Sequence, residues 1–242
     1  MTRATPLYEW PLADETLAVE RVDIQAEIDA LAAAAEGPVL QIGSKADILD
    51  RAAKWRARFA HAKFVGLDVE DGPNVDVVAD ISGELAAIRR KLGAAQFGFV
   101  ICAHVLEHVR QPWVAARNIQ FLLKPGGRLL VTVPWVQGYH EFPDDYWRMS
   151  FAGVRSLFEG IEFFSEFYSG AAEDVGYRLL RNGKPEHSPA TCRIERNLFQ
   201  RLLSGLPAQP MFDDRPGDKL ELSRFYMPAC SVNLFGRKTA AK

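Results

Sequence analysis

Cysteine is scarce in this sequence, and long apolar runs are absent. Cys102, Cys192 and Cys230 stand far apart with no CxxC pair among them, which excludes a disulfide framework or a zinc ribbon and favours a reducing compartment. No apolar stretch approaches the roughly 20 residues of a membrane-spanning helix. Residues 1–20 mix polar, acidic and apolar side chains without the apolar core of a signal peptide. Charge of one sign is lacking too. The 29 Lys and Arg against 31 Asp and Glu leave a formal net charge of -2, whereas a mainly electrostatic nucleic-acid binder carries a clear basic excess. Internal repeats and low-complexity tracts are missing as well. The expectation is a cytoplasmic protein with no membrane or nucleic-acid partner.

What is present is an ordinary globular composition, 48% hydrophobic and 25% charged over 242 residues, enough for one α/β domain with an extension. Residues 19–35 place Ile24, Ile28, Leu31 and Ala35 at helical spacing, predicting a helix that Gly37-Pro38 ends. A short apolar strand, Val39 to Gly43, follows. A helix is predicted over 47–59, strands over Phe64 to Val69 and Val75 to Ile81, a helix over 83–91 and a strand over Phe97 to Ala103. Residues 112–123 carry Ala115, Ile119 and Leu122 on one helical face, and Lys124, preceding Pro125, is pushed out of the helical region. Gly126-Gly127 permits a tight turn into the strand Arg128 to Val133. Apolar strands alternating with amphipathic helices argue for a Rossmann-like, mostly parallel sheet with helices on both faces.

Beyond residue 150 the pattern weakens to a helix near 151–158, a strand near 162–168 and a helix near 192–204. A Pro- and Gly-rich loop over 205–218 and a closing strand, Ala229 to Arg237, complete it. The chain divides into an N-terminal helical segment (1–36), a core (37–164), a lid-like or inserted segment (165–228) and a closing strand with tail (229–242).

Open α/β sheets bind ligands at the carboxyl ends of their strands. The first strand here ends in Gly43-Ser44-Lys45, where bare backbone at Gly43 permits close approach. The second ends in Asp68, whose carboxylate can accept both hydrogen bonds of a ribose diol. The third ends in Asp80-Ile81, suited to an adenine amino group and ring. For each acid the competing role is a loop carboxylate or a helix cap, and Asp80 stands just before the 83–91 helix.

Four stretches together resemble the successive motifs of class I S-adenosylmethionine-dependent methyltransferases: Val39-Leu40-Gln41-Ile42-Gly43, Gly66-Leu67-Asp68, Val105-Leu106-Glu107-His108 and Leu123-Lys124-Pro125-Gly126-Gly127. The segment from His140 to Asp144-Asp145-Tyr146-Trp147-Arg148 resembles the branch with a His to Asp-Tyr-Trp-Arg signature, the type 11-like methyltransferases. The resemblance covers residues 37–160 and, weakly, the final strand. It implies a seven-stranded sheet whose last strand is inserted antiparallel, S-adenosyl-L-methionine as cofactor, and cofactor contacts from Gly43 with the adjoining Ser44, Asp68, Asp80, Ile81 and His104. It also suggests O-methylation of a small-molecule or glycan-like acceptor. One departure stands out: the family's Gly-x-Gly-x-Gly is replaced by Gly43-Ser44-Lys45-Ala46-Asp47. That keeps a second reading open, a catalytically retired binding or scaffold protein on the same fold.

His104-Val105-Leu106-Glu107-His108 also matches H-x-x-E-H, a zinc-peptidase pattern that needs to lie within one helix. Here it directly follows a strand and Pro112 comes soon after, so the strand-end turn is the better reading, with Glu107 and His108 bonded to neighbouring backbone and no metal ligand assigned. A nicotinamide-dependent oxidoreductase is disfavoured by the lack of G-x-G-x-x-G. His140 is the candidate base, the alternative being a loop-fixing histidine bonded to backbone or to Asp144. Tyr139, Asp145, Tyr146 and Arg148 are the candidate acceptor contacts, with an internal Arg148–carboxylate pair as the alternative and Trp147 expected in the core. Tyr177, Arg178, Arg181, His187, Arg193 and Arg196 give residues 165–228 a basic, aromatic character suited to an anionic acceptor, to a solvated face or to a homodimer surface.

Overall fold

A computed structural model describes residues 17–45, 51–93, 96–140, 144–170, 175–181, 184–186 and 230–239. In chain order the elements are β1 (Leu17–Asp23), α1 (Ile24–Ala33), β2 (Val39–Ile42), α2 (Arg51–Arg58), β3 (Phe64–Asp68), β4 (Val77–Val78), α3 (Leu85–Lys91) and β5 (Phe97–Ala103). A single 3-10 turn over Leu106–His108 is followed by α4 (Pro112–Leu122), β6 (Leu123–Val136), α5 (Phe151–Leu157), β7 (Ile161–Gly170), β8 (Val175–Arg181), β9 (Lys184–Glu186) and β10 (Cys230–Lys238). The strands form one mixed sheet in the order β1-β8-β7-β10-β6-β5-β2-β3-β4, with β9 on β8.

From β4 to β6 the pairing is parallel, and β10 lies antiparallel between β6 and β7. Parallel strands buried on both faces need continuous apolar runs. β5 supplies one: Phe97, Val100 and Cys102 enter the core on one face, Phe99 and Ile101 that on the other. On the first face α3, α4 and α5 contribute Ile88, Ala115, Ile119, Leu122 and Val154. On the second, α1 contributes Ile24, Ile28 and Leu31, and Phe59 just after α2 joins them. Each large side chain sequestered in this way stabilises the fold by about 1.5–3 kcal/mol.

Three expectations are corrected. Among the described residues the sheet has ten strands rather than seven, because β8 pairs antiparallel with β7 and then carries β1 and β9. The described part of residues 165–228 extends the sheet, and the rest of the expected lid lies outside the described residues. Residues 17–23 are a strand where the spacing predicts a helix from residue 19; the helix starts at Ile24, and the Asp23 carboxylate accepts the Ala26 N–H at 3.0 Å as its N-cap. The strand predicted over Val75 to Ile81 shrinks to two residues. Turns occupy both its ends, at Asn74 (φ 70) and at Asp80, which binds the Ser82 N–H at 2.8 Å.

The remaining core elements match the predicted ones to within a few residues. α4 stops at Leu122 ahead of Lys124-Pro125, and Gly126 takes φ 76 before β6 crosses the core. The helix expected near 192–204, the loop over 205–218, and His187, Arg193 and Arg196 lie outside the described residues. Among the described residues no helix is long and apolar enough to cross a membrane.

Candidate active site

The parallel strands deliver Gly43, Asp68, Asp80 and His104 to one edge of the sheet, as the ligand-binding rule for open sheets requires. Gly43 takes φ 70, and a Cβ there would lie 2.5 Å from Val105 Cγ2. Its N–H and that of Ser44 both donate to the Leu67 carbonyl, at 2.9 and 3.2 Å. The Ser44 side chain is buried against the bare Cα of Gly66, so it points into the sheet and its hydroxyl oxygen has no hydrogen-bond partner.

Asp68 receives the Lys45 N–H on Oδ2 at 2.9 Å and the Glu70 N–H on Oδ1 at 3.2 Å. A carboxylate offers about four lone-pair sites, so each oxygen keeps one for a ribose hydroxyl. The non-glycine Lys45 leans away from this edge, over Gly72, with Nζ 2.5 Å from Glu70 Oε2. The cationic ammonium is thereby drawn towards Glu70, and Gly43 and Asp68 fit S-adenosylmethionine, while Ala46 and Asp47 of the altered first motif lie outside the described residues.

Asp80 Oδ1 accepts both the N–H and the hydroxyl of Ser82, at 2.8 and 2.7 Å. It fixes the turn before α3 and does not cap the helix, whose N-cap is Glu84. Ile81 is buried in the main core. Its carbonyl and that of Gly83 accept both N–H groups of buried Asn118, at 2.8 and 2.9 Å. Asn118 went unnoticed in the sequence because it lies on the apolar face of α4; a polar residue on such a face is the signal that could have found it.

At the end of β5, His104 adopts φ 54, the left-handed region that a β-carbon disfavours. This reverses the chain into the 3-10 turn, so H-x-x-E-H does not lie on a single helix as the peptidase reading requires. His108 behaves as the sequence suggests, its Nδ1 lying 2.7 Å from the Asp144 carbonyl. Glu107 does not. Its carbonyl accepts the Tyr146 N–H at 2.8 Å, but its fully buried carboxylate faces histidines, with Oε1 3.2 Å from His104 Nδ1 and 4.0 Å from His108 Nε2.

The loop after β6 is organised by the Asp145–Arg148 ion pair. Asp145, 1% exposed, is gripped by both terminal nitrogens of Arg148 at 2.5 Å. Arg148 gives its other three N–H groups to the carbonyls of Gln137, Gly138 and Trp147. All five guanidinium donors are thus used within the loop, which is the internal arrangement. The Arg148 bonds hold the Asp145 carboxyl down at about 2.

The same carboxylate accepts the His140 N–H at 2.9 Å and lies 3.2 Å from His140 Nδ1. The imidazole, one third exposed, also has its Nδ1 3.4 Å from the Gly138 carbonyl, so of the loop-fixing partners expected for it the backbone is present and Asp144 is not. Asp144 binds the Asp145 N–H and the Tyr139 hydroxyl, bonds that with Tyr146 lower its carboxyl below the usual range.

Trp147 is not a core residue. It is 36% exposed, edge-on to Trp113 with ring centroids 6.1 Å apart, and its indole N–H donates to the Val109 carbonyl at 2.9 Å. Tyr139 (61% exposed) and Tyr146 (44%) precede it in sequence, so the loop presents aromatic faces outward.

A family model described as a methyltransferase domain matches residues 18–182. No curated protein matches the chain. Among solved structures, a candidate methyltransferase from Bacillus halodurans C-125 is 15% identical, with 90% of this chain and 99% of that chain covered and a TM-score of 0.50. The N-methyltransferase NodS from Bradyrhizobium japonicum WM9, solved with S-adenosyl-L-homocysteine, is 17% identical, with coverage of 65% and 87% and a TM-score of 0.43. At 15% identity the first likeness is one of fold. The family match spans about two thirds of the chain and contains every strand-end residue described above, so the chain belongs to the methyltransferase-domain family and is an S-adenosylmethionine-dependent methyltransferase.

Proposed function

We propose that the enzyme O-methylates a small-molecule or sugar-like hydroxyl acceptor, with His140 as the general base. One observation carries this reading: two acceptors, the buried Asp145 carboxylate at 3.2 Å and the Gly138 carbonyl at 3.4 Å, lie against His140 Nδ1 and favour the proton on that nitrogen. Nε2 then has the lone pair that can accept a hydroxyl proton. Bound S-adenosylmethionine supplies a methyl group on a sulfonium centre, open to in-line displacement. The chain's task is to hold the acceptor oxygen about 3 Å from that carbon and to exclude water. Asp68 would hold the ribose, and the exposed rings of Tyr139, Tyr146 and Trp147 suit the flat apolar face of a sugar. Arg148 and Asp145 act here as loop supports rather than as acceptor contacts.

Asp68→Ala is expected to weaken S-adenosylhomocysteine binding at least about tenfold, through loss of charge-assisted hydrogen bonds. His140→Ala should leave that binding intact and lower turnover about 10²–10⁴-fold. Calorimetric titration of both variants, beside kinetics with a hydroxylated acceptor set, separates the roles. Equal loss of binding in the two would end the assignment. Flat titrations of the folded parent chain would instead favour the retired scaffold.

A further inference from the structure

Glu107 and His108 have no part in the reading above, and the His140 Nε2 that serves there as the base has a competing use as a ligand, in which case it no longer takes the proton. One ligand atom from each of the three lies within 4.8 Å of the other two. The imidazoles of His108 and His140 meet edge to face, with centroids 4.9 Å apart. Glu107 is fully buried, and among the described residues its Oε2 has no hydrogen-bond partner. A buried carboxylate oxygen left unpaired costs several kcal/mol unless a cation or donor meets it. The nearby Arg148 cannot serve, since its five donors are spent on Asp145 and three carbonyls.

The hydrogen bonds on the far side of the two rings point the same way. A metal-ligating histidine almost always donates its other ring N–H to a carbonyl or carboxylate, which fixes the tautomer. His108 Nδ1 lies 2.7 Å from the Asp144 carbonyl, and His140 Nδ1 lies 3.2 Å from the Asp145 carboxylate. Both rings are thereby held with Nε2 as the lone-pair nitrogen. Two imidazoles and one carboxylate form a donor set that suits a divalent first-row transition ion and leaves a coordination position open.

We propose that Glu107, His108 and His140 bind a divalent transition-metal ion, with an acceptor oxygen filling the open position. Tetrahedral bonds of 2.0–2.1 Å put ligand atoms about 3.3 Å apart, so side-chain rotations close the observed spacing around the ion. His104, 3.2 Å from Glu107 Oε1, stands beside the carboxylate. The ion site rests on these side chains, and only the word "acceptor" rests on the proposed function. With the ion bound, His140 is a ligand, and the acidity of the acceptor hydroxyl is set by the metal charge.

The test uses the full chain after chelator treatment, titrated with Zn²⁺ by calorimetry and with Co²⁺ by visible absorption. One equivalent of Zn²⁺ and tetrahedral-type Co²⁺ bands are expected. Affinity should fall at least about tenfold in His108→Ala, in Glu107→Gln and in His140→Ala, while His61→Ala, away from the cluster, should match the parent. His140 is on a partly exposed loop, so its variant reports even if a change at buried Glu107 perturbs folding. S-adenosylhomocysteine binding, measured with and without Zn²⁺, is expected in both conditions and keeps failure of the ion site distinct from failure of the methyltransferase reading. Absence of stoichiometric binding overturns the proposal, and so does equal affinity in the parent, His108→Ala and His140→Ala.

Discussion

Asp145→Ala is expected to lower folding stability by about 3 kcal/mol and to reduce turnover to near background. Breaking a buried ion pair from one side costs roughly 3–5 kcal/mol, because the remaining charge is left uncompensated. The lower end applies here because Arg148 is 27% exposed and keeps three carbonyl partners. Turnover falls separately, since the same carboxylate orients His140.

The Asp145 carboxyl also sets a pH window. Its folded-state value is lowered to about 2 from an ordinary 3.8, first by the Arg148 bonds. Its stabilising contribution is therefore fully present above about pH 4 and is lost as the pH falls towards 2. A displacement of that size corresponds to about 2 kcal/mol. Urea unfolding at pH 7 and pH 2.5 should show this part of the acid loss in the parent and not in Asp145→Ala. If both lose the same amount, the pair is not the origin.

Gly66→Ala is expected to destabilise by about 3 kcal/mol and to weaken cofactor binding as well. A methyl group at this point of β3 would overlap the Asn74 carbonyl and lie 2.7 Å from Ser44 Oγ. The Asn74 carbonyl is backbone and the Ser44 hydroxyl is packed into the sheet, and Asn74 also holds the Ser44 carbonyl at 2.9 Å, so the strain passes through the Gly43–Lys45 turn to Asp68, which holds the Lys45 N–H. Overpacking of this kind costs about 1–3 kcal/mol, and more where backbone is struck.

Gly98→Ala makes the comparison informative. Its methyl would collide with the Glu36 carbonyl at the opposite end of the sheet. A similar loss of stability should follow, with S-adenosylhomocysteine affinity of the folded protein unchanged. Thermal melts and calorimetry on the two variants check the contrast, and equal effects on affinity would count against the strand-end cofactor site.

The centre of the fold was legible because local pattern and tertiary role coincide there. β5 is a continuous apolar run with one turn signal at each end, and it is buried on both faces. β1 was not legible. Leu17 to Asp23 alternates weakly and leads straight into a helical stripe, and only its partner Val175–Arg181, more than 150 residues away, makes it a strand. β8 and β9 depend in the same way on pairings that no local window contains.

The site divides along similar lines. Asp68 and Asp80 could be placed because strand ends are readable. The Asp145–Arg148 pair was foreseeable as an alternative because its members are three residues apart. The meeting of Glu107 and His108 with His140 depends on the β6 loop folding back over the β5 turn, where Glu107 O receives the Tyr146 N–H. Spacing along the chain carries no trace of that encounter. Trp147 misled for a different reason: aromatic side chains are usually buried, and this one is held outward by its bond to Val109.

β10 joins two strands that precede it by many residues, and this dictates an order of assembly. Adjacent strands sit about 4.8 Å apart, so β6 and β7 face each other across a slot one strand wide until Cys230–Lys238 arrives. During synthesis everything through Glu186 leaves the ribosome before the wedge that completes the sheet exists. Two rows of unpaired backbone groups, on β6 and on β7, wait for it and invite the wrong strand in the meantime. The same slot makes the fold divisible: a chain cut between residues 187 and 229 keeps a ready-made receptor for the severed strand. Lys238, whose ammonium reaches the Gln120 and Leu123 carbonyls at 2.6 and 2.8 Å, latches the wedge once it is home.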